Sequence, residues 1–317
     1  MSDPVDRILE LCVLIDACAA NMDELRVAHP VGKSKVAESD DDTPLWGGTV
    51  GVEPSRVNGT SYWFDDIEPV YGELDELIRY ASADLHERVL GDGGIRALAP
   101  TIHRVRAAYE RDKEIIQARS LLRADDGAER LKNTIEEERY WALGDELRTA
   151  LGGSRHVLVA GSGPLPLTAL CIGAELDVRV TCVERDSECH VLGKRLIAMS
   201  GRGDRFESIN ADILDMTAFD DFDTIVGVVL LGVATEADEA SSKATIARHI
   251  VAHMSPGGRL VLRAPHGLGR LLYPSVDLGD SGDVHISHFV PPVGPTQPYR
   301  SGLVVAERLA PDTGHAH

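Results

Sequence analysis

From residue 156 onward the chain alternates short apolar runs with amphipathic segments, and this alternation constrains the fold more than any other feature. The runs are HVLVAG, RVTCVE, TIVGVVLLG and RLVLRAP, each ending in small or polar residues, with segments such as SSKATIARHIVAHM between them. Strands separated by helices imply βαβ units and a parallel sheet. Two later runs, VHISHFV and GLVVAER, joined by PPVGPTQPYRS, predict an antiparallel pair closing that sheet. The first run leads into Gly161-Ser162-Gly163, which opens like a nucleotide-binding turn. A dinucleotide fingerprint would place a third glycine shortly after it. This chain reads Pro164-Leu165-Pro166 instead.

Ligands of open parallel sheets sit at the carboxyl ends of the strands, at the topological switch point. Three such ends carry suitable groups here. Small residues at 161–163 let a ligand approach the backbone. Glu184 closes RVTCVE, about 20 residues past the glycines, where an acidic side chain suits a ribose diol. Asp212, in NADILDM, stands where a third segment returns to the sheet edge and suits an adenine amino group. The plain alternative is a tight turn with Glu184 and Asp212 as solvated strand ends, and three elements in register favour the site. With no third glycine there is no pyrophosphate cradle. An adenosine ligand with a ribose and no phosphates fits, and S-adenosylmethionine is the candidate. Pro164 and Pro166 each fix φ near −65° and lack an N–H, so the loop exit is expected to be a rigid wall.

The first 150 residues read as an all-helical domain. Asp3 can cap a helix with Pro4 in its first turn, and Val5, Ile8, Leu9, Cys12 and Ile15 follow at helical spacing. Residues 31–60, rich in Gly, Ser, Asp and Pro, predict a long mobile loop of the lid type. Helices are expected at about 100–123 and 127–151. Tyr62, Trp63, Phe64 and Tyr71 cluster in a chain that is only 5% aromatic, and are expected either to pack under the lid or to line an acceptor pocket. The net charge of −19 disfavours nucleic acid and anionic membrane surfaces but not a cationic small molecule. The five cysteines form no CxxC pair, so no metal site is expected and a reduced, cytoplasmic setting fits. The N-terminus lacks the basic region of a signal peptide, and no apolar run approaches the length of a membrane span.

GSGPLPLTAL resembles the hallmark loop of nicotianamine synthases and their bacterial opine-metallophore relatives. The likeness continues through NADILDM and through VVLLGVATEADEASSKATIARHIVAHMSPGGRLVLRAPHGLGRLLYP, with its Pro-Gly, its Arg-x-x-His-Gly and its Leu272-Tyr273-Pro274. It covers about residues 130–308. The resemblance implies a class I methyltransferase-like Rossmann domain over residues 151–308, a mostly parallel sheet with an antiparallel C-terminal edge. The helical lid domain of residues 1–150 precedes it, and 309–317 form a tail. It implies transfer of the 3-amino-3-carboxypropyl arm of S-adenosylmethionine to a small-molecule amine or phenol acceptor, with release of methylthioadenosine. It also implies cofactor contacts at Gly161, Ser162, Gly163, Pro164, Leu165, Pro166, Glu184, Asp212, Leu231 and Arg263.

Relatives carry a catalytic glutamate on the helix before the first strand. In RLKNTIEEERYWALGDEL the best placement is Glu138, with Glu137 next and Tyr140 nearby, against the alternative of a solvated acidic face. Tyr62, Trp63, Tyr71, His266 and Tyr273 are the candidates for the acceptor pocket; His266 reads equally as a structural cap or a catalytic base, and Tyr273 as a packing residue. Two positions depart from the family pattern: Leu268-Gly269-Arg270 before Leu-Tyr-Pro, and Arg300-Ser301 near the last strand. Three other outcomes remain open: cyclisation of S-adenosylmethionine to azetidine-2-carboxylate, methyl transfer, and binding without catalysis. A homodimer is also left open.

Overall fold

In the computed structural model of the chain, residues 3–28, 63–136, 146–228, 231–233, 243–276, 278, 284–290 and 301–309 are described. The first described element is α1 (Pro4–Ala28), where the Val5 N–H donates to Asp3 Oδ1 at 2.9 Å, forming the cap expected from sequence. Ile8, Cys12 and Ile15 on its inner stripe are fully buried. Next come α2 (Trp63–Arg79) and α3 (Ala83–Gly91), then α4 (Gly93–Arg123) and α5 (Gly127–Glu136). Ser82 caps α3 and Asp92 caps α4 by accepting the Leu85 and Ile95 N–H groups. The turn into α5 is so tight that a Cβ on Gly127 would stand 1.9 Å from the Leu121 carbonyl oxygen. A further helical stretch, 146–151, leads to the sheet. The loop expected at 31–60 lies outside the described residues.

The sheet alternates with helices as the apolar runs predicted. In chain order it contains β1 (His156–Ala160), α6 (Leu167–Glu175), β2 (Arg179–Glu184), α7 (Ser187–Met199), β3 (Phe206–Asn210), β4 (Thr224–Gly227), α8 (Lys243–His253) and β5 (Arg259–Pro265). After the short α9 (Gly269–Leu272), β6 (Val284–Val290) and β7 (Ser301–Arg308) complete it. The strand order is β3-β2-β1-β4-β5-β7-β6. Strands β1 to β5 pair in parallel, while β7 is antiparallel to both β5 and β6. This is a class I methyltransferase-like fold, with its switch point where β1 is flanked by β2 and β4.

Three apolar cores result, and α4 takes part in two of them. Its N-terminal half sends Ile102, Val105, Ala108 and Tyr109 into a core with α1 and α2. Its C-terminal half sends Ile115, Ala118 and Leu121 into a core on one face of the sheet, with Val157, Val159, Leu170 and Val180. The opposite face is covered by α8, through Ile246, Ala247 and Ile250 against Leu158, Ile225 and Leu260. The helical core also takes in Leu268, Leu271, Leu272 and Tyr273 from the segment after β5. The helical layer and the sheet layer therefore exchange elements.

Within the helical core, Asp75 on α2 carries a buried Oδ1 with no hydrogen-bond partner among the described residues. Burial pushes its carboxyl up to about 7 from an ordinary 3.8, and Glu110 adds to the rise against Arg106 and Lys113. An acid whose proton affinity is raised on folding stabilises the native state below the unfolded pKa. That contribution is lost as pH rises from about 4 to about 7, because the unfolded chain then ionises first. Asp75→Asn is accordingly expected to raise the Tm at pH 8 relative to the parent protein and to leave it little changed at pH 4, as read by thermal unfolding at the two pH values.

Candidate functional site

At the carboxyl end of β1, Gly161 and Gly163 adopt φ of +74° and +70°, in the region that favours glycine. This conformation turns three successive N–H groups back into the protein. Those of Gly161 and Ser162 both donate to the Val183 carbonyl oxygen, at 2.9 and 3.2 Å. The Gly163 N–H donates to Glu184 Oε2 at 2.9 Å. Pro164 and Pro166 have no N–H to offer. The loop is a smooth wall bonded to β2 and is not a phosphate-binding nest.

The wall bounds a cleft of about 810 Å³, within the size range of small-molecule sites. Gly161, Ser162, Gly163, Pro164, Leu165, Glu184, Asp212, Leu231 and Arg263 line it, and α4 contributes Glu110, Arg111 and Glu114 from the other side. Glu114 lies hard against the loop: a Cβ on Gly163 would stand 3.1 Å from its Oε2. Burial, then the neighbouring Glu110 and Glu184, push the Glu114 carboxyl well above the usual carboxylate range. Glu184 is also raised by burial, against the N–H groups of Asp186 and Gly163 that bond its two oxygens.

Ion pairs fix α4 in this position. Arg111 donates to Asp186 Oδ2 from Nε at 3.1 Å and from Nη2 at 2.6 Å, and from Nη1 to Asp112 at 3.0 Å. Arg119 pairs with Glu188. Asp186 in turn caps α7 by accepting the Glu188 and Cys189 N–H groups. Burial would raise the Asp186 carboxyl, but the Cys189 N–H and Arg111 hold it below its ordinary value. On the β5 side, the Lys243 ammonium donates to the Arg263 carbonyl oxygen at 2.5 Å. Burial, then Arg263, push Lys243 down to about 7. Asp212 accepts the Leu214 N–H at 2.9 Å and lies 3.8 Å from Arg185.

The remaining sequence candidates fall elsewhere. Pro166 is not on the cleft wall; it precedes α6 and packs towards Gly193 of α7. Tyr71, a candidate for the acceptor pocket, is 1% exposed in the helical core. Its ring lies 5.2 Å from that of Tyr109 and 4.8 Å from the Arg106 guanidinium, and it does not line the cleft. Tyr273 is buried in the same core, donating to Glu110 Oε1 at 2.6 Å and accepting from Arg106 Nη2 at 3.1 Å. His266 is exposed, and its carbonyl accepts the Gly269 N–H at 3.0 Å, capping the turn into α9. Glu137, Glu138, Tyr140 and Tyr62, and the side chain of Trp63, lie outside the described residues. Among the described residues, no group of three or more His, Cys, Asp or Glu could hold a metal ion. No helix among them is long and apolar enough to cross a membrane.

A family model described as nicotianamine synthase protein matches residues 138–310, more than half of the chain. The chain belongs to the nicotianamine synthase family. Nicotianamine synthase of Solanum lycopersicum is 28% identical over 160 residues, covering 49% of this chain and 48% of its own length. Nicotianamine synthase 9 of Hordeum vulgare is 34% identical over 125 residues, covering 38% of this chain and 35% of its own. The chain thus spans about half the length, or less, of these curated relatives. Among solved structures, a glutamate-to-glutamine mutant of MtNAS in complex with S-adenosylmethionine matches with a TM-score of 0.64 at 21% identity, over 81% of this chain and 95% of that one. MtNAS in complex with MTA and tNA matches with a TM-score of 0.66 at 18% identity, over 93% and 97%. At those identities the structural likeness establishes the fold.

For this member of the nicotianamine synthase family, the residues that sequence reasoning overlooked are Glu110, Arg111 and Glu114. YERDKEIIQ has the composition of a solvated helix face. One signal was legible: Arg106, Glu110, Glu114 and Gln117 recur at helical spacing on the stripe that also carries Ile102 and Leu121, and a polar stripe on a buried face is out of place. The close fit of α7 to the loop gives a test. A Cβ on Gly193 would meet the Gly163 carbonyl oxygen at 2.8 Å and Pro166 Cδ at 3.7 Å. Gly→Ala inside a helix ordinarily stabilises by about 1 kcal/mol, whereas overpacking costs about 1–3 kcal/mol. Gly193→Ala is therefore expected to lower stability in urea unfolding, and a gain in stability would show that the loop is not clamped there.

Proposed function

We propose that the chain is an S-adenosylmethionine-dependent 3-amino-3-carboxypropyltransferase acting on a small-molecule amine or phenol. The observation that carries this reading is the meeting, across one cleft, of the Gly161–Pro164 wall with a half-buried Glu114 whose carboxyl is pushed above the usual range. Family membership and the fold shared with MtNAS support it. The residues present suit the ligand. Glu184 and Asp212, at the ends of β2 and β3, offer acceptors for a ribose diol and an adenine amino group. Arg263, at the end of β5, offers a cation for the amino-acid carboxylate. The carboxylates of Glu110, Glu114 and Glu184 make the cleft favourable to cationic groups, and no nest of N–H groups competes for a phosphate.

S-adenosylmethionine, when bound, supplies a Cγ attached to a sulfonium leaving group. The protein then has two tasks: to orient the acceptor in line with that carbon and to take the acceptor's proton. The rigid loop wall serves orientation. Glu114, in its ionised form, serves as the base, because a carboxylate whose proton affinity is raised by burial and by Glu110 and Glu184 takes a proton from an amine or phenol more readily than an ordinary one. Glu138 and Glu137 remain the alternative placement suggested by the sequence.

The test is to incubate the protein with S-adenosylmethionine and candidate acceptors and to identify the nucleoside product. Methylthioadenosine is expected, and S-adenosylhomocysteine would establish methyl transfer instead. Release of methylthioadenosine without an acceptor would point to cyclisation. Glu114→Gln, which changes little volume, is expected to retain S-adenosylmethionine binding while turnover falls about 10²–10⁴-fold. Glu138→Gln measured alongside separates the two placements: loss confined to that variant would move the base from α4 to the helix before β1.

A further inference from the structure

One buried polar cluster stands beside the cleft without contributing an obvious ligand contact. Arg106, 4% exposed, donates from Nε to Glu110 Oε1 at 2.7 Å and from Nη2 to the Tyr273 hydroxyl at 3.1 Å. Tyr273 donates to the same Glu110 oxygen at 2.6 Å. The Arg106 guanidinium lies 4.8, 5.6 and 5.6 Å from the ring centroids of Tyr71, Tyr109 and Tyr273. Two donors on one oxygen, held by three aromatic rings, confine Glu110 far more tightly than packing at the edge of a cleft requires.

We propose that Glu110 is a positioning residue for the reaction: clamped by Arg106 and Tyr273, it holds a fixed negative charge one helical turn from Glu114 and so keeps Glu114 ready to take a proton. This rests on the reading of Glu114 as the base. The two glutamates are four residues apart on α4 and both face the cleft. Arg106 is four residues further back. At about 1.5 Å rise per residue, Glu110 stands roughly 6 Å along the axis from Glu114, and Arg106 roughly 12 Å. These are rises between backbone positions; of this pair it is the Glu110 carboxylate that acts on Glu114, raising its proton affinity.

Other titratable groups face the pair, among them Tyr109 of α4 itself, beside Arg106. Glu184 on β2 acts on Glu114 in the same direction as Glu110, and burial adds to both. From α2, Asp75 and Tyr71 face Arg106 and Glu110, and Lys113 of α4 acts on Asp75. Arg111 is engaged with Asp186 and Asp112. Tyr273 couples the segment after β5 to this device, which gives that tyrosine a role beyond packing.

The measurement is a pH titration of the protonated-carboxyl stretch by infrared difference spectroscopy. Subtraction of the Glu114→Gln spectrum assigns the Glu114 band. In Glu110→Gln the Glu114 midpoint is expected to fall by about one pH unit or more. In Glu110→Asp, which keeps the charge, it is expected to stay near the parent value. Should Glu110→Gln fail to fold, the double variant Arg106→Met/Glu110→Gln removes the ion pair together, and the midpoint is still expected to fall because the carboxylate that raises it is gone. A midpoint that stays or rises in the variants lacking the Glu110 carboxylate would overturn the proposal. In the active enzyme, the acidic limb of kcat/KM is expected to move with the band. A limb that stays while the band moves would also overturn the proposal, since Glu110 would then act on Glu114 without bearing on catalysis. Absence of methylthioadenosine release from the parent protein, with the band shift intact, would count against the assigned reaction and leave the Glu110–Glu114 coupling supported.

Discussion

The site depends on how α4 is held. Half of this helix is anchored in the helical core and half in the core beneath the sheet, so its middle can lie only across the loop that follows β1. The Arg111–Asp186 and Arg119–Glu188 pairs then fix its rotation. Such part-buried pairs add little to stability, but they set which side chains face the loop. Because Asp186 also caps α7, one carboxylate aligns both walls of the cleft.

That docking creates an electrostatic problem. Glu110, Glu114 and Glu184 are brought together in a partly dry space, where like charges disfavour joint ionisation. Glu110 is committed to Arg106 and Tyr273, and Glu184 to the Gly163 and Asp186 N–H groups. Burial and these two neighbours raise the proton affinity of Glu114. Neighbouring carboxyl groups pushed apart in proton affinity are a recurrent means of obtaining a base suited to neutral pH. The path from sequence to site runs through packing: two apolar stripes on one helix place a charged middle where its charge is costly.

The sheet was legible because its central strands are buried on both faces and read as continuous apolar runs, and VHISHFV and GLVVAER mark the edge pair within a residue. β3, FESIN, was legible only as a third segment returning to the sheet edge before Asp212, because it is an edge strand with mostly half-exposed residues and no apolar run. The loop and Glu184 could be read from local spacing, since the fold fixes where a strand end lies. Glu114 could not, because its meaning comes from a contact with Gly163, 49 positions away in sequence, that no local periodicity encodes. Tyr71 and Tyr273 stand out in the sequence as candidates for packing or for an acceptor pocket, but Arg106, buried between their rings, is a property of the assembled core.

The most direct test of this account is a crystal structure of the protein with methylthioadenosine bound. It is expected to show the ribose at Glu184, the adenosine beside Gly161–Pro164, and the Glu114 carboxylate on the open side of the cleft, within reach of an acceptor's proton directly or through one water. A nucleoside bound elsewhere, or another carboxylate such as Glu138 occupying that side with Glu114 turned away from the cleft, would contradict it.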